Sequence, residues 1–176
     1  MMKTTSVVKI DNRDPDLSRI REIARASRDG KIVAFPTETV YGVGAPMSVP
    51  GVQETLAELK KRSGGKPFSY HIGSSEMIDF LKVKRTPEFR YLSRLFWPGP
   101  LPLLLLTEQG EKIGLRFPRH RVALALMNAV GEPFLATSAN LSGESSPTTA
   151  EEVMRQLSGQ IDYLIDAGKT ELGVDS

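Results

Sequence analysis

Lys31-Ile32-Val33-Ala34-Phe35-Pro36-Thr37-Glu38-Thr39-Val40-Tyr41-Gly42 is the stretch from which the fold reads most directly. The run from Lys31 to Phe35 is apolar and β-prone, and Pro36 ends it because proline lacks the amide that a strand ladder needs. Just upstream, Leu17, Ile20, Ile23 and Ala24 recur at helical spacing until Gly30. Asp14-Pro15 before them predicts an N-cap followed by proline at the first helical position. Helix then strand is the first unit of an alternation that continues along the chain. A helix is predicted from about Pro50 to Arg62 and stops at Gly64-Gly65. A strand follows from Pro67 to Gly73, then a short helix started by Ser74 or Ser75. Thr86-Pro87 caps a further helix, with Phe89, Leu92, Leu95 and Phe96 as its apolar stripe.

Trp97-Pro98-Gly99-Pro100 breaks both helix and strand ladders and reads as a shaped turn. Beyond it, Leu101 to Thr107 and Ile113 to Phe117 read as strands, Val122 to Ala129 as a helix and Phe134 to Thr137 as a buried strand. Thr149 with Glu152 forms a capping box for a helix to about Leu157, and Ile161 to Ile165 closes the series as a strand. Alternating elements of this kind predict an α/β domain with helices packed on a sheet. The 176 residues, 40% hydrophobic and 25% charged, fit one globular domain, with no repeat or linker in view.

Several classes are set aside by composition. The longest apolar run, Leu101 to Leu106, is interrupted by Pro102 and falls far short of the ~18 to 20 residues of a membrane-spanning helix. The N-terminus shows no secretory signal pattern, so a cytoplasmic setting without membrane association is expected. With no cysteine, disulfides, thiolate metal sites and cysteine nucleophiles are excluded. The net charge of +2 conceals a division: residues 1–56 carry +1, residues 57–121 carry +7 and residues 122–176 carry −6. A basic middle third predicts a surface that attracts phosphate-bearing ligands or nucleic acid, although scattered solvated cations give the same count.

Three loops concentrate polar chemistry. Pro36 to Gly42 follows a strand end, where ligands of α/β sheets sit, and its hydroxyls suit a small polar substrate; the same residues also suit an ST-turn with a satisfied tyrosine. Lys60-Lys61-Arg62-Ser63-Gly64-Gly65-Lys66-Pro67 runs a cationic helix end into a glycine turn, which suits a triphosphate more than dipole complementation alone demands. It is not a Walker sequence. Ala136 to Pro147 is rich in serine, asparagine and glycine, residues that let a backbone approach a nucleotide. Arg116 and His71 stand near strand ends, and a lone histidine such as His71 more often plays a structural part.

Six motifs then occur in one order: Phe35 to Gly42; Lys60-x-Arg62 with Lys66-Pro67 and His71-Ile72; Phe96-Trp97-Pro98-Gly99-Pro100-Leu101; Arg116-x-Pro118-x-His120; Ser138-Ala139-Asn140-Leu141-Ser142-Gly143; and Gly173-Val174-Asp175-Ser176. Together they resemble the YrdC-type threonylcarbamoyladenylate synthases, from about residue 15 to the last. The resemblance implies one YrdC-like domain over residues 1–176, with a twisted mixed sheet and flanking helices around a wide basic cleft. It implies a nucleotidyltransferase that makes threonylcarbamoyl-AMP and pyrophosphate from L-threonine, bicarbonate and ATP, for the N6-threonylcarbamoyl group of tRNA adenosine 37. Magnesium would accompany ATP, no protein metal ligands are implied, and a threonylcarbamoyl-transferase complex would act downstream. Carried over by motif, Thr39, Tyr41, His71, Arg116, the Ala136 backbone and Ser176 surround L-threonine or its carbamate. Arg62, Lys66, Ser138, Asn140 and Ser146 contact ATP, Lys60 lies beside the phosphates, and Lys60 and Arg62 are the catalytic cations.

Four positions depart from the family pattern: Ser63, Lys66, Pro102 and Arg121. Members also continue past the position of Ser176 with a further strand and a nucleotide-binding arginine, which this domain is expected to lack. The alternative of a different class is a catalytically inactive homologue of the same fold that binds double-stranded RNA or tRNA. A carbamoyl-adenylate-forming domain of hydrogenase-maturation type is a further alternative, though such proteins are larger and rich in zinc-finger cysteines.

Overall fold

Asp16, two positions later than the sequence suggests, opens the first helix. Its carboxylate accepts from the amides of Ser18 and Arg19 at 3.0 and 3.1 Å, so Asp14 and Pro15 stay outside α1 (Leu17–Arg28). The computed structural model describes residues 4–61 and 68–175. Before α1 lies β1 (Ser6–Lys9), and after it come β2 (Val33–Phe35), β3 (Gly42–Pro46), α2 (Val52–Leu59) and β4 (Ser69–His71). A 3-10 helix (Ser75–Leu81) follows, then α3 (Pro87–Phe96), β5 (Leu103–Leu106), β6 (Lys112–Arg116), α4 (Arg121–Val130), β7 (Phe134–Ser138), α5 (Ala150–Leu157) and β8 (Tyr163–Asp166).

The alternation is as expected, with two strands added. Neither β1 nor β3 shows in the sequence: Ser-Val-Val-Lys is too short to display a period, and Gly-Val-Gly-Ala-Pro carries three strand-breaking residues. β3 is nevertheless buried throughout and pairs antiparallel on both sides, with β2 and β7. Other boundaries hold: Thr86 caps α3 through the Phe89 amide, and Thr149 with Glu152 forms both arms of the capping box of α5. The expected apolar stripe of α3 is only partly buried. Phe89 is in the core, whereas Leu95 and Phe96 are 57% and 47% exposed, because α3 lies at the outer end of the sheet. The Trp97–Pro98 peptide is cis, within the turn expected there.

All eight strands form one mixed sheet in the order β1-β8-β2-β3-β7-β4-β6-β5. β8 runs parallel to β1 and β2, β4 runs parallel to β6, and the remaining pairs are antiparallel. On one face Ala45, Leu135, Tyr70, Leu115 and Leu103 form a cross-strand row, covered by α2 and α5 at one end and by the 3-10 helix and α3 at the other. On the other face α1 and α4 cover Val33, Phe35, Phe134, Ala136 and Ile165. That second layer draws no buried residue from β4, β5 or β6, and the row Ser69, Gly114, Leu104 is left as an open floor. No helix among the described residues is long and apolar enough to cross a membrane.

The row leading into that floor is thin by necessity. A Cβ on Gly44 would stand 2.0 Å from the Leu135 carbonyl oxygen and 2.9 Å from the Ala136 Cα, backbone atoms that cannot step aside. Gly44→Ala is expected to destabilise the domain by about 3 kcal/mol or prevent folding, as overpacking against backbone does. Gly110→Ala meets no atom within 4 Å and bears only its positive φ of 88°, so its loss should be about 1 kcal/mol, both variants being compared by urea titration.

Candidate active site

A cleft of about 480 Å³ opens where the α1–α4 layer ends. Three stretches wall it: Thr37, Val40, Tyr41 and Gly42 from the β2–β3 turn; Ser69, His71 and Arg116 from the strands; and Ala136 to Ser138, Asn140 and Glu144 to Ser146 from β7 and its following loop, with Pro102 and Asp175 at the rim. Six of the residues expected at the site, Tyr41, His71, Arg116, Ala136, Ser138 and Asn140, are therefore brought together, and Ser146 joins them. Thr39 and Lys60 stand behind the wall. Arg62, Lys66 and Ser176 lie outside the described residues.

The turn from Pro36 to Tyr41 is buried and neither helix nor strand, so its backbone polar groups need partners from elsewhere. They find four. Tyr41 N donates to Pro147 O, Tyr41 O accepts from Ala139 N, Glu38 O from Leu172 N and Thr39 O from Gly173 N, at 2.8 to 3.0 Å. The Tyr41 hydroxyl adds a fifth tie, donating to Gly168 O at 2.7 Å and accepting from Ala167 N at 3.3 Å. Burial raises the phenol well above its ordinary pKa, so this hydroxyl keeps its proton.

Arg116 is 6% exposed at the end of β6. Its Nη2 donates to Glu38 Oε1 at 2.9 Å and to Thr39 Oγ1 at 2.8 Å, with Thr37 Oγ1 at 3.5 Å. Thr37 gives its own proton to Val40 O at 2.7 Å, so in the 3.0 Å contact between the two threonines Thr39 is the donor. Both hydroxyl oxygens are thereby left as acceptors facing the guanidinium. Arg116 Nε is buried without a partner. Thr39 thus shapes the site through Arg116, and Thr37, which sequence reasoning passed over, lines the cleft instead. Glu38 was passed over too; an acidic residue inside a buried apolar stretch was its signal.

Lys60 does not reach out beside a helix end. Its side chain is fully buried, and Nζ donates to Ser138 O at 2.8 Å and Asn140 Oδ1 at 2.9 Å. Asn140 Nδ2 in turn donates to Glu144 O at 2.7 Å, and Ser142 N to Lys60 O at 3.4 Å. The cation fixes the shape of the Ser138–Glu144 loop from beneath. Ser146 Oγ bonds Asp175 at the rim. Among the described residues that line the cleft, Arg116 is the one cation, and Glu144 and Asp175 are the carboxylates. Lys82, Lys84, Arg85 and Arg90 of the basic middle third surround a separate hollow with Asp79 and Glu108.

His71 lies against Phe35 with ring centroids 6.0 Å apart, and burial followed by the charge of Arg116 pushes its pKa down to about 3. His120, at the start of α4, is pushed down to about 4 by burial, with Glu38 acting in the opposite direction. Both rings are neutral in the native state near neutral pH. An unfolded histidine titrates near 6.5, so the stabilisation from keeping these rings neutral is complete above that pH and declines as pH falls toward 4. In urea denaturation the proton uptake on unfolding should rise from near zero at pH 7.5 to about two near pH 5, and to about one in His120→Gln. Equal slopes for the two proteins would contradict the assignment.

The sequence and the architecture both resemble known proteins. The Sua5/yciO/yrdC family model, described as "Telomere recombination", matches residues 25–176. A Threonylcarbamoyl-AMP synthase of Pyrococcus abyssi is 39% identical over 167 residues, covering 90% of this chain and 49% of the relative. One of Bacillus subtilis is 36% identical, covering 96% and 51%. The chain spans about half the length of these curated relatives. The crystal structure of P. abyssi Sua5 complexed with L-threonine superposes with a TM-score of 0.89 at 36% identity, over 98% of this chain and 53% of that one. With the family model matched over most of its length and relatives of 36–39% identity spanning 90% or more of it, the chain belongs to the Sua5/yciO/yrdC family.

Proposed function

We propose that this domain is an L-threonylcarbamoyladenylate synthase, joining L-threonine, bicarbonate and ATP into threonylcarbamoyl-AMP with release of pyrophosphate and water. The observation that carries the reading is Arg116: a buried guanidinium in the cleft wall, with Nε unpartnered, in a fold that holds L-threonine in P. abyssi Sua5. A buried donor left open is satisfied by an anionic ligand, and a carboxylate or carbamate is the anion this substrate set offers.

The chemistry asks for positioning and for charge control. Threonine's amine attacks the carbon of bicarbonate or carbon dioxide, and a carbamate oxygen then attacks the α-phosphorus as pyrophosphate leaves. Both steps gather negative charge, so fixed cations and donors supply the acceleration and no covalent nucleophile is needed. In this reading Arg116 takes the amino-acid carboxylate or the carbamate. Neutral His71 and the Ala136 backbone close the pocket around it. The Ser138, Asn140 and Ser146 side receives the nucleotide, on a loop that Lys60 holds in shape before ATP arrives. The relevance of Arg62, Lys66 and Ser176 to ATP and threonine is proposed from their motifs alone. Magnesium is proposed to enter on the phosphates, where it neutralises charge; Glu144 and Asp175 on the cleft wall are oxygen donors of the hard type it takes. The acyl phosphate product is an activated group whose proposed acceptor is tRNA, through a downstream threonylcarbamoyl-transferase complex.

Pyrophosphate release from ATP, with magnesium and bicarbonate, should depend on L-threonine and fall at least about a hundredfold in kcat/KM for L-threonine in Arg116→Ala. Release that ignores threonine would overturn the reading, and no release at all, with salt-sensitive RNA affinity, would return the domain to the RNA-binding alternative. Lys60→Met keeps the apolar stem but removes the donors under Ser138 and Asn140. It should raise the KM for ATP by about tenfold and that for L-threonine by far less; an equal rise in both would take Lys60 out of the loop-shaping role.

A further inference from the structure

Glu38 is 1% exposed, and neither of its oxygens faces water. Oε1 accepts from Arg116 Nη2 at 2.9 Å, and Oε2 accepts from the backbone amide of Arg119 at 3.1 Å. Its own carbonyl is held by Leu172 N at 2.8 Å. The carboxylate therefore stands on a backbone fixed at both ends of the contact, and it meets two donors from the same chain segment, one on each oxygen. Among the described residues, the hydrogen bonds to the Arg116 guanidinium end on Nη2, and Glu38 and Thr39 use both of its protons. Nε is left as a buried donor next to the cleft.

We infer that Glu38 is the positioning residue for Arg116: it holds the guanidinium by Nη2 so that the remaining donors are presented to the anionic group of the amino-acid substrate. This rests on the function proposed above for the cleft. The geometry requires a carboxylate, and a carboxamide of the same shape does not serve. In Glu38→Gln one of the two positions becomes an NH2 group, and whichever way the amide turns, a donor then faces either Arg116 Nη2 or the Arg119 amide. The Coulomb attraction that offsets desolvation of the buried guanidinium disappears as well. With one anchor lost, Arg116 keeps its charge but not its direction, and the effect falls on the ligand it touches and spares the nucleotide loop on the other wall.

The test uses the 176-residue chain with Glu38→Gln and Glu38→Asp, read in two ways. Steady-state kinetics should show the KM for L-threonine rising at least about tenfold in Glu38→Gln with the KM for ATP changed by less than about twofold, and Glu38→Asp recovering much of the loss. The 15N–1H signal of Arg116 Nε, identified by its disappearance in Arg116→Lys, should shift or broaden in Glu38→Gln while the backbone amide spectrum stays native. An Nε signal unchanged from the parent protein, or KM values for L-threonine and ATP that rise in proportion, would overturn the proposal. Should Glu38→Gln fail to fold, Glu38→Asp carries both readouts, with the same selectivity for L-threonine at smaller size. If the parent protein shows no threonine-dependent turnover, the synthase reading fails by itself, and the Nε signal still decides whether Glu38 sets Arg116.

Discussion

A buried turn must satisfy its backbone, and the segment from Pro36 to Tyr41 makes this constraint the organiser of the cleft. Its residues are buried, yet neither a helix nor a ladder supplies its partners. Its amides and carbonyls are met by Ala139, Pro147, Leu172 and Gly173, residues from two distant segments of the second half of the chain. Satisfying those groups draws the β7 loop and the segment after β8 against the end of β2, which sets two walls of the cleft in place. The Tyr41 hydroxyl and the Glu38 carboxylate extend the same logic from backbone to side chain, tying in Gly168 and the Arg116–Arg119 corner. The polar residues of the turn thus serve the architecture and the site together.

The electrostatics of the site follow from which cations are spent on structure. Lys60 uses its ammonium on a carbonyl and an amide oxygen, and Arg116 uses one nitrogen on Glu38 and Thr39. What is offered to a ligand is the remainder. Beside Arg116, a protonated His71 would add a second buried positive charge, and burial together with that neighbour keeps the ring neutral. The described wall accordingly combines one directed cation with neutral donors and two rim carboxylates, a more discriminating arrangement than a general basic surface.

Much of this was legible in the sequence, and the parts that were not have physical reasons. Helices α1, α3, α4 and α5 announce themselves by period and cap, and the site motifs converge because they sit at strand ends. The cap of α1 was misplaced because Asp14 and Asp16 are both competent caps, and only the path of the chain selects between them. β3 was hidden because Gly42 and Gly44 lower strand propensity, yet a close cross-strand approach is what those glycines serve. Charge along the chain suggested a basic cleft, but composition cannot say that Lys60 points inward or that Lys82, Lys84, Arg85 and Arg90 gather at another hollow. Thr39 and Thr37 look equivalent on paper, and only the direction of their hydroxyl protons separates the one that backs Arg116 from the one that lines the cleft.

The position of β8 in the sheet has a bearing on how the chain is made. The last strand in sequence lies between β1 and β2, so the first strand finds its neighbour about 156 residues further along. At ordinary rates of translation that interval lasts on the order of ten seconds. Throughout it, the edges of β1 and β2 that β8 will occupy stay unpaired, and the Tyr41 hydroxyl waits for Ala167 and Gly168. Closure of the sheet therefore coincides with the near completion of this stretch of chain, and until then the open strand edges are exposed to wrong pairing.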